Sequence, residues 1–440
     1  MSTEKQVITR MAPSPTGLFH VGSLRTTIFN YLFAKQNNGK FILRIEDTDK
    51  ERSKEEYEQN IIDSLQWLNI EHDEFYRQSE RTDIYKEKLQ YLIDNDLAYE
   101  AEENQSGTGK VIRFKNPNVK IKFTDLILGD IEVDTTDLQD FVIARDIENP
   151  LYHLTVVVDD GEMNVSHVLR GQDHIPNTPR QILLLEALGY ERPQYAHIPL
   201  IMSPRGGKLS KRDPEVMPIL DYKEQGILPG SLINFLTMIG WNPGTDQEIF
   251  TPDDLLKQFS IEKVQKSGAA FNLEKLDWIN KEWLMQMSDE DFVAYLGDIW
   301  NQFTVREEAQ GVFLGLLRER AHKRSDITEM IDAGEFTYLA ENIKYTPESL
   351  IWKKSDKENT VNHLRKAVEL LNDATQWDID NVKSSIWNYA EEQGKGDVLW
   401  PIRFALSGQD RSPDPFTLAF ILGKEKTLQR ISDAIESLVQ

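Results

Sequence analysis

Two short runs rich in β-branched and aromatic residues, Val7-Ile8-Thr9-Arg10 and Phe41-Ile42-Leu43-Arg44-Ile45, flank a stretch with apolar positions at Leu24, Ile28, Tyr31 and Leu32. The runs predict strands and the spacing between them predicts a helix over Leu24 to Lys35, which together make a β-α-β unit. Asn37-Asn38-Gly39 supplies a left-handed helix cap, so the chain returns to a strand parallel to the first. Apolar runs at Leu154 to Val158 and Ile198 to Met202 read as further buried parallel strands, with a helix over Pro179 to Leu188 between them. Residues of about 100 to 140 are rich in Asn, Gly and Asp, with brief β segments at Val111 to Lys115 and Lys120 to Leu128. That texture predicts a small domain inserted into the sheet. From about residue 245 helix-start signals recur, at Thr251-Pro252-Asp253-Asp254, Ser288-Asp289-Glu290-Asp291 and Thr346-Pro347-Glu348. The expected fold is an α/β parallel-sheet domain with a small inserted α+β domain, followed by an all-α C-terminal half.

Length and composition narrow the classes this pattern can serve. At 440 residues the chain is too long for one hydrophobic core. A hydrophobic content of 40% against 28% charged excludes a mainly disordered polymer. Zero cysteines exclude disulfides, thiolate metal sites and cysteine nucleophiles, which is compatible with a reducing compartment and makes the cytoplasm the default. No apolar run approaches the roughly 18 residues of a membrane span, and MSTEKQVITR has no signal-peptide core. A net charge of −23 argues against indiscriminate coating of nucleic acid and leaves only local basic patches for such contacts.

Two loops carry candidate chemistry. Pro13-Ser14-Pro15-Thr16-Gly17-Leu18-Phe19-His20-Val21-Gly22-Ser23 lies between the first strand and the first helix. Its prolines stiffen the turn, Gly17 and Gly22 permit close backbone approach, and the helix N-terminus favours an anion. The competing reading is an ordinary βα loop with an incidental histidine. Lys208-Leu209-Ser210-Lys211-Arg212 follows the flexible Pro204-Arg205-Gly206-Gly207 and could close on a transferring phosphoryl group. A solvated basic loop is its competitor. The segment is not a Walker loop, because Leu209 follows Gly207-Lys208 and the first glycine of that pattern is missing. No G-x-S-x-G motif occurs.

Taken together and in this order, the two loops resemble the paired ATP signatures of class I aminoacyl-tRNA synthetases. The likeness sharpens to the glutamyl-tRNA synthetases through Thr9 to Gly17, Phe41 to Asp49, Val156 to Asp160, His167 to Gly171, Asn177 to Gln181 and Leu228 to Phe235. It covers nearly all of residues 6 to 285. Beyond residue 290 it is strongest at Trp400 to Gly408 and at Leu422-Gly423-Lys424-Glu425, which resemble the family's anticodon-binding helices.

The resemblance implies a Rossmann-like catalytic domain in two halves, 1–98 and 141–244. Between them would lie a shortened acceptor-end domain, 99–140, and after them a helical connecting domain, 245–300, and an anticodon-binding domain, 301–440. It implies ATP-dependent attachment of L-glutamate to tRNA(Glu) through a glutamyl-adenylate, with ATP-Mg2+ as co-substrate and tRNA(Gln) as an open second acceptor. Glutamate would be held by Arg10, Ser14, Glu46, Tyr152 and Arg170. ATP would be bound by Pro13, Thr16, Gly17, His20, Gly22, Ser23, Lys208, Ser210 and Lys211, with His20, Lys208 and Lys211 catalytic. Arginine suits the pocket, because a buried guanidinium left facing glutamine's neutral amide is costly, whereas shape alone separates the two amino acids weakly. Arg10 and Arg170 could instead pair internally with Glu46 or Asp173, and Tyr152 could be core packing. Glutamylation of a tRNA base and a non-catalytic synthetase-like binding protein are the alternative functions.

The eight dispersed histidines, His167 and His174 among them, lack zinc-site spacing, so no structural zinc is expected. Asp47, Asp49, Asp159 and Asp160 are open to reading as metal ligands or as caps, turns and ion-pair partners. The chain departs from the family at Gln172, where an acid is usual, at Asp213-Pro214, where His-Gly is common, and in the short segment between Tyr99 and Val111. Arg318, Arg320, Lys323 and Arg324, and Trp352 with Lys353 and Lys354, are candidate tRNA contacts or solvated helix faces. A monomer is the default state.

Overall fold

The chain begins with β1 (Ile8–Met11), α1 (Val21–Gln36) and β2 (Lys40–Ile45), and β2 lies parallel to β1 with Ile42 opposite Arg10. The β-α-β unit is therefore where the hydrophobic pattern puts it. The structure, a computed structural model, describes residues 5–102, 109–209, 213, 216–340, 342–353 and 355–440. After α2 (Glu55–Trp67), β3 (Glu74–Arg77) extends the sheet in parallel beside β2. α3 (Thr82–Asp94) then leads to β4 (Ala98–Glu102), β5 (Lys110–Phe114), β6 (Lys120–Asp125), β7 (Gly129–Asp134) and β8 (Phe141–Ala144). β4, β5 and β8 form a small antiparallel sheet of their own.

The hairpin of β6 and β7 belongs elsewhere. α4 (Tyr152–Glu162), β9 (His167–Gly171), α5 (Thr178–Ala187) and β10 (Gln194–Ile198) come next, and β10 pairs in parallel with β9 on one side and β6 on the other. Ser166, just before β9, donates its amide to the Ile8 carbonyl and accepts the Ile8 amide on its hydroxyl. That junction sets β9 beside β1 and brings the C-terminal ends of β1 and β9 together.

Two sequence expectations need correcting. Leu154 to Val158 is not a strand but the middle of α4, where Leu154 to Asp160 are all buried. A short apolar run buried on every side has no polar face, so its period cannot separate helix from strand. Ile198 to Met202 is not one strand either. Pro199 follows the end of β10, and Ile201–Met202 makes a separate strand, β11, after which come α6 (Ile219–Gln225), α7 (Pro229–Met238) and α8 (Pro252–Gln258). β11 pairs with β12 (Ala269–Ala270).

α1 is buried along most of its length, packed against β1 and β9 on one side and α7 on the other. Three polar side chains pin it. Asn30 donates to the Leu169 carbonyl at 2.9 Å, its own carbonyl accepts from the Thr9 hydroxyl at 2.9 Å, and Arg25 donates to the carbonyls of Ile239 and Pro199. At the end of the helix the left-handed residue is Asn38, with φ of 50°, rather than Gly39. Gly39 is needed for another reason: a Cβ there would lie 2.2 Å from the Val7 carbonyl oxygen.

The described residues cluster into two compact units, Met1–Asn280 and Lys281–Gln440. The second is helical, and Ser288, Asp356, Asp378 and Asp414 cap helix N-termini with their side chains. Thr251 forms the capping box its sequence predicts, in the first unit. Thr346 does not cap a long helix; only a single 3-10 turn, Pro347–Leu350, follows it. Among the described residues no helix is long and apolar enough to cross a membrane. Because Gly39 has no room for a methyl group, Gly39→Ala should destabilise the first unit by about 2 kcal/mol. Thermal unfolding monitored by circular dichroism should show a lowered first transition.

Candidate active site

A cavity of about 660 Å3 opens at the C-terminal ends of β1 and β9. Parallel sheets gather ligands there, because loops diverge from the strand ends. Its wall includes Arg10, Pro13, Ser14, His20, Gly22, Ser23, Glu46, Tyr152, Arg170 and Lys208, so both candidate loops and both candidate arginines meet in one place. Thr16 and Gly17 belong to the same loop but do not line the cavity. Ser210 and Lys211 lie outside the described residues.

His20 is the N-cap of α1. Its Nδ1 accepts from the amides of Gly22 at 3.1 Å and Ser23 at 3.4 Å, which leaves the proton on Nε2. The ring thus occupies two amides that the sequence reading left open for an anion. Gly22 is tightly placed, since a Cβ there would approach the His20 ring to 3.1 Å. Lys208 stands on a tight turn in which Gly206 and Gly207 both have positive φ, and it forms an ion pair with Asp173 at 2.9 Å.

The arginines differ in how their charge is balanced. Arg10 makes a two-point contact with Asp160, through Nε at 3.1 Å and Nη2 at 3.3 Å. Arg44, fully buried, shares the same carboxylate at 2.8 Å and also reaches Glu46 at 3.1 Å and Asp159 at 3.5 Å. Asp159 in turn accepts from Gln78, Arg81 and Tyr85. The adjacent acids of α4 are therefore ion-pair partners, and the internal pairing weighed for Arg10 is real, although its partner is Asp160 rather than Glu46 or Asp173. Against the cost of burial, Arg10 and Arg44 hold the Asp160 carboxyl below the ordinary carboxylate range. Burial pushes Glu46 the other way, up to about 7, despite the pull of Arg44 and Arg10.

Arg170 has no acid. Its Nη1 donates to Gln181 at 2.6 Å, Nη2 to Thr178 at 2.7 Å and Nε to His197 Nε2 at 3.3 Å, and all three acceptors are neutral side chains. Burial lowers its pKa, yet it remains a cation. A guanidinium only 5% exposed, with no carboxylate paired to it among the described residues, is an incompletely balanced positive charge beside an open cavity. Tyr152 begins α4 with its hydroxyl 3.1 Å from His174 Nδ1, and with 36% of its surface exposed it is a wall residue rather than core.

The sequence reading missed Arg44, Thr178 and His197 as parts of this centre, and did not give Gln181 a role. Two acids ending the apolar run of α4 were a usable signal for a buried arginine, since such carboxylates are seldom left unpaired. Among the described residues no group of three or more His, Asp or Glu side chains could hold a metal ion. In the second unit, Arg318 is buried, pairs with Asp289 at 2.8 Å and covers the Phe292 ring, so it is an internal tie and not a free phosphate contact. Arg320 pairs with Glu335. Trp352 packs on Trp400 at 5.0 Å with Lys353 over its ring at 4.5 Å, while Lys354 lies outside the described residues.

Comparison with known proteins agrees with this geometry. Residues 6–106 and 100–278 match the catalytic domain of class I tRNA synthetases (E and Q), and residues 259–435 match an anticodon binding domain. A glutamate–tRNA ligase of Aquifex aeolicus is 37% identical, covering 98% of this chain and 99% of its own. Glutamate–tRNA ligase 1 of Syntrophomonas wolfei is 35% identical over 98% and 96% of the two chains. A crystal structure of a glutamate tRNA ligase from Elizabethkingia meningosepticum in complex with its amino acid superposes with a TM-score of 0.88, at 32% identity, over 99% of this chain and 100% of that one. A pocket of buried arginines between two signature loops, on a chain matched along nearly its whole length, places this protein in the class I tRNA synthetase family, among the glutamate–tRNA ligases.

Proposed function

We propose that this chain charges tRNA(Glu) with L-glutamate in two steps within the cavity between its signature loops. In the first step an oxygen of the glutamate α-carboxylate attacks the α-phosphorus of ATP-Mg2+ in line, and pyrophosphate leaves. In the second a hydroxyl of the terminal ribose of tRNA attacks the activated carbonyl, and AMP leaves with the bonding electrons. No protein nucleophile takes part, so the chain's contribution is alignment and neutralisation of charge.

The observation that carries this reading is Arg170, a buried cation with only neutral partners on the wall of the cavity. An amino acid with two carboxylates supplies the missing counter-charge, and a glutamine side chain would leave the guanidinium without an anionic partner. Arg10 acts beside it on the substrate's other carboxylate, Tyr152 and Ser14 add hydrogen bonds, and Glu46 takes the ammonium. His20 Nε2–H, 3.3 Å from the Ser23 hydroxyl in this structure, exchanges that contact for a phosphate oxygen, and Pro13, Thr16, Gly17, Gly22 and Ser23 shape the nucleotide loop. Lys208, Ser210 and Lys211 close on the phosphates, with Lys208 leaving Asp173 as they do.

The segment 99–140 serves the acceptor end of tRNA, 245–300 its stem and 301–440 its anticodon. The protein works as a monomer in the cytoplasm. Glutamylation of a tRNA base and a purely binding role both fit less well, because the match to an anticodon binding domain and the assembled cavity occur in one chain.

Incubation of the protein with ATP, glutamate and purified tRNA should yield glutamyl-tRNA, and Lys211→Ala should abolish it; no product from the wild type would reject the proposal. Parallel reactions with tRNA(Glu) and tRNA(Gln) establish which acceptors are charged. Arg170→Ala should lower kcat/KM for glutamate by about 10- to 100-fold, the worth of a charge-assisted hydrogen bond. An unchanged value removes Arg170 from the pocket. Glu46, with its pKa raised to about 7, gains a proton as the pH falls through neutrality and loses the charge that attracts the ammonium. The KM for glutamate should therefore rise from pH 8 to pH 6 in steady-state kinetics, and Glu46→Gln should flatten the profile.

A further inference from the structure

The neutrality of the Arg170 surroundings has a definite source. His197, on β10 and fully buried, places Nδ1 2.7 Å from Asp125 Oδ2, and its backbone amide donates to the same oxygen at 3.0 Å. A ring nitrogen facing a carboxylate carries the proton, so the other nitrogen presents a lone pair. That nitrogen is Nε2, the one that faces Arg170 Nε at 3.3 Å and Thr178 Oγ1 at 3.0 Å. Asp125 is itself fixed, because its Oδ1 accepts the amides of Ile127 and Leu128 in the turn between β6 and β7. Its register is set by the pairing of Asp125 with Tyr195 across β6 and β10. The chain of bonds runs from a turn, through a carboxylate and an imidazole, to the guanidinium, and the carboxylate is kept one ring away from it.

We propose that His197, oriented by Asp125, is a positioning residue for Arg170, and that with Thr178 and Gln181 it forms a neutral socket reserving the arginine's charge for an incoming carboxylate. The proposal rests on Arg170 being a glutamate contact. A direct acid partner would hold Arg170 equally well but would spend its charge internally, whereas Arg10 shares Asp160 with Arg44 and keeps part of its charge. An imidazole held in one tautomer provides direction and leaves the Arg170 charge available. Gln181 is the sharpest point of the design, since glutamate in its place would differ by one atom and would make a buried ion pair 2.6 Å from Nη1.

The test compares Arg170→Ala, His197→Asn and Gln181→Glu, reading KM for glutamate, KM for ATP, the preference for glutamate over glutamine, and melting temperature. His197→Asn retains a donor toward Asp125 and removes the Nε2 acceptor. It should raise KM for glutamate by about 10-fold or more while KM for ATP stays unchanged. Gln181→Glu should raise KM for glutamate as well and narrow the glutamate-over-glutamine preference, because the guanidinium is then already paired. Should His197→Asn fail to fold, Gln181→Glu decides the matter alone. If Arg170→Ala raises KM for glutamate and the other two variants leave it unchanged, the socket is refuted while the pocket stands. If both KM values and the melting temperature shift together in His197→Asn and Gln181→Glu, the role is only structural and the inference fails. An Arg170→Ala variant with unaltered KM for glutamate overturns the pocket reading itself.

Discussion

Burying several guanidinium groups at one end of a parallel sheet is the constraint on which the rest of this structure depends. An unpaired buried charge is costly, and one balanced by an acid of its own attracts an anionic ligand less strongly. The chain meets both demands by dividing the work. Arg44 and Arg10 share Asp160, and Arg44 also engages Glu46 and Asp159, so this half of the site is an ion-pair network with Arg10 and Glu46 at the cavity wall. Arg170 donates its hydrogen bonds to neutral side chains and lies over the Tyr195 ring. The strand ends thus combine a rigid electrostatic base with one cation held ready for a partner.

Position matters as much as charge, and the residues just before the two cavity arginines explain how it is kept. Thr9 precedes Arg10 on β1 and Leu169 precedes Arg170 on β9, and both are bonded to Asn30 of α1. One buried asparagine therefore ties both strands to the helix whose N-cap is His20. Both arginines and the His20 loop line the one cavity, so displacement of α1 would disturb all of them. Arg25, anchored on the carbonyls of Ile239 and Pro199, fastens the opposite side of α1.

Much of this was legible in the sequence because it is local. β1, α1 and β2 announced themselves through periodicity and turn residues, and the signature loops through their proline, glycine and lysine spacing. What failed was information that spacing does not carry. The Leu154 to Val158 run looked like a strand because a helix buried on all sides shows no amphipathic period. The partners of Arg10 and Arg170 lie far away in sequence, at Asp160 for one and at Thr178, Gln181 and His197 for the other. Residue type warned that buried acids and arginines would need company, but only the strand order decided which ones met.

The hairpin of β6 and β7 sits in the segment that looked like a detachable insertion, yet β6 is hydrogen-bonded to β10 and carries Asp125. Deletion of the hairpin would remove two of the four strands of the sheet that contains β9 and β10. There is thus a lower limit to how small this appendage can become. Past it, trimming a peripheral module would amount to surgery on the surroundings of Arg170.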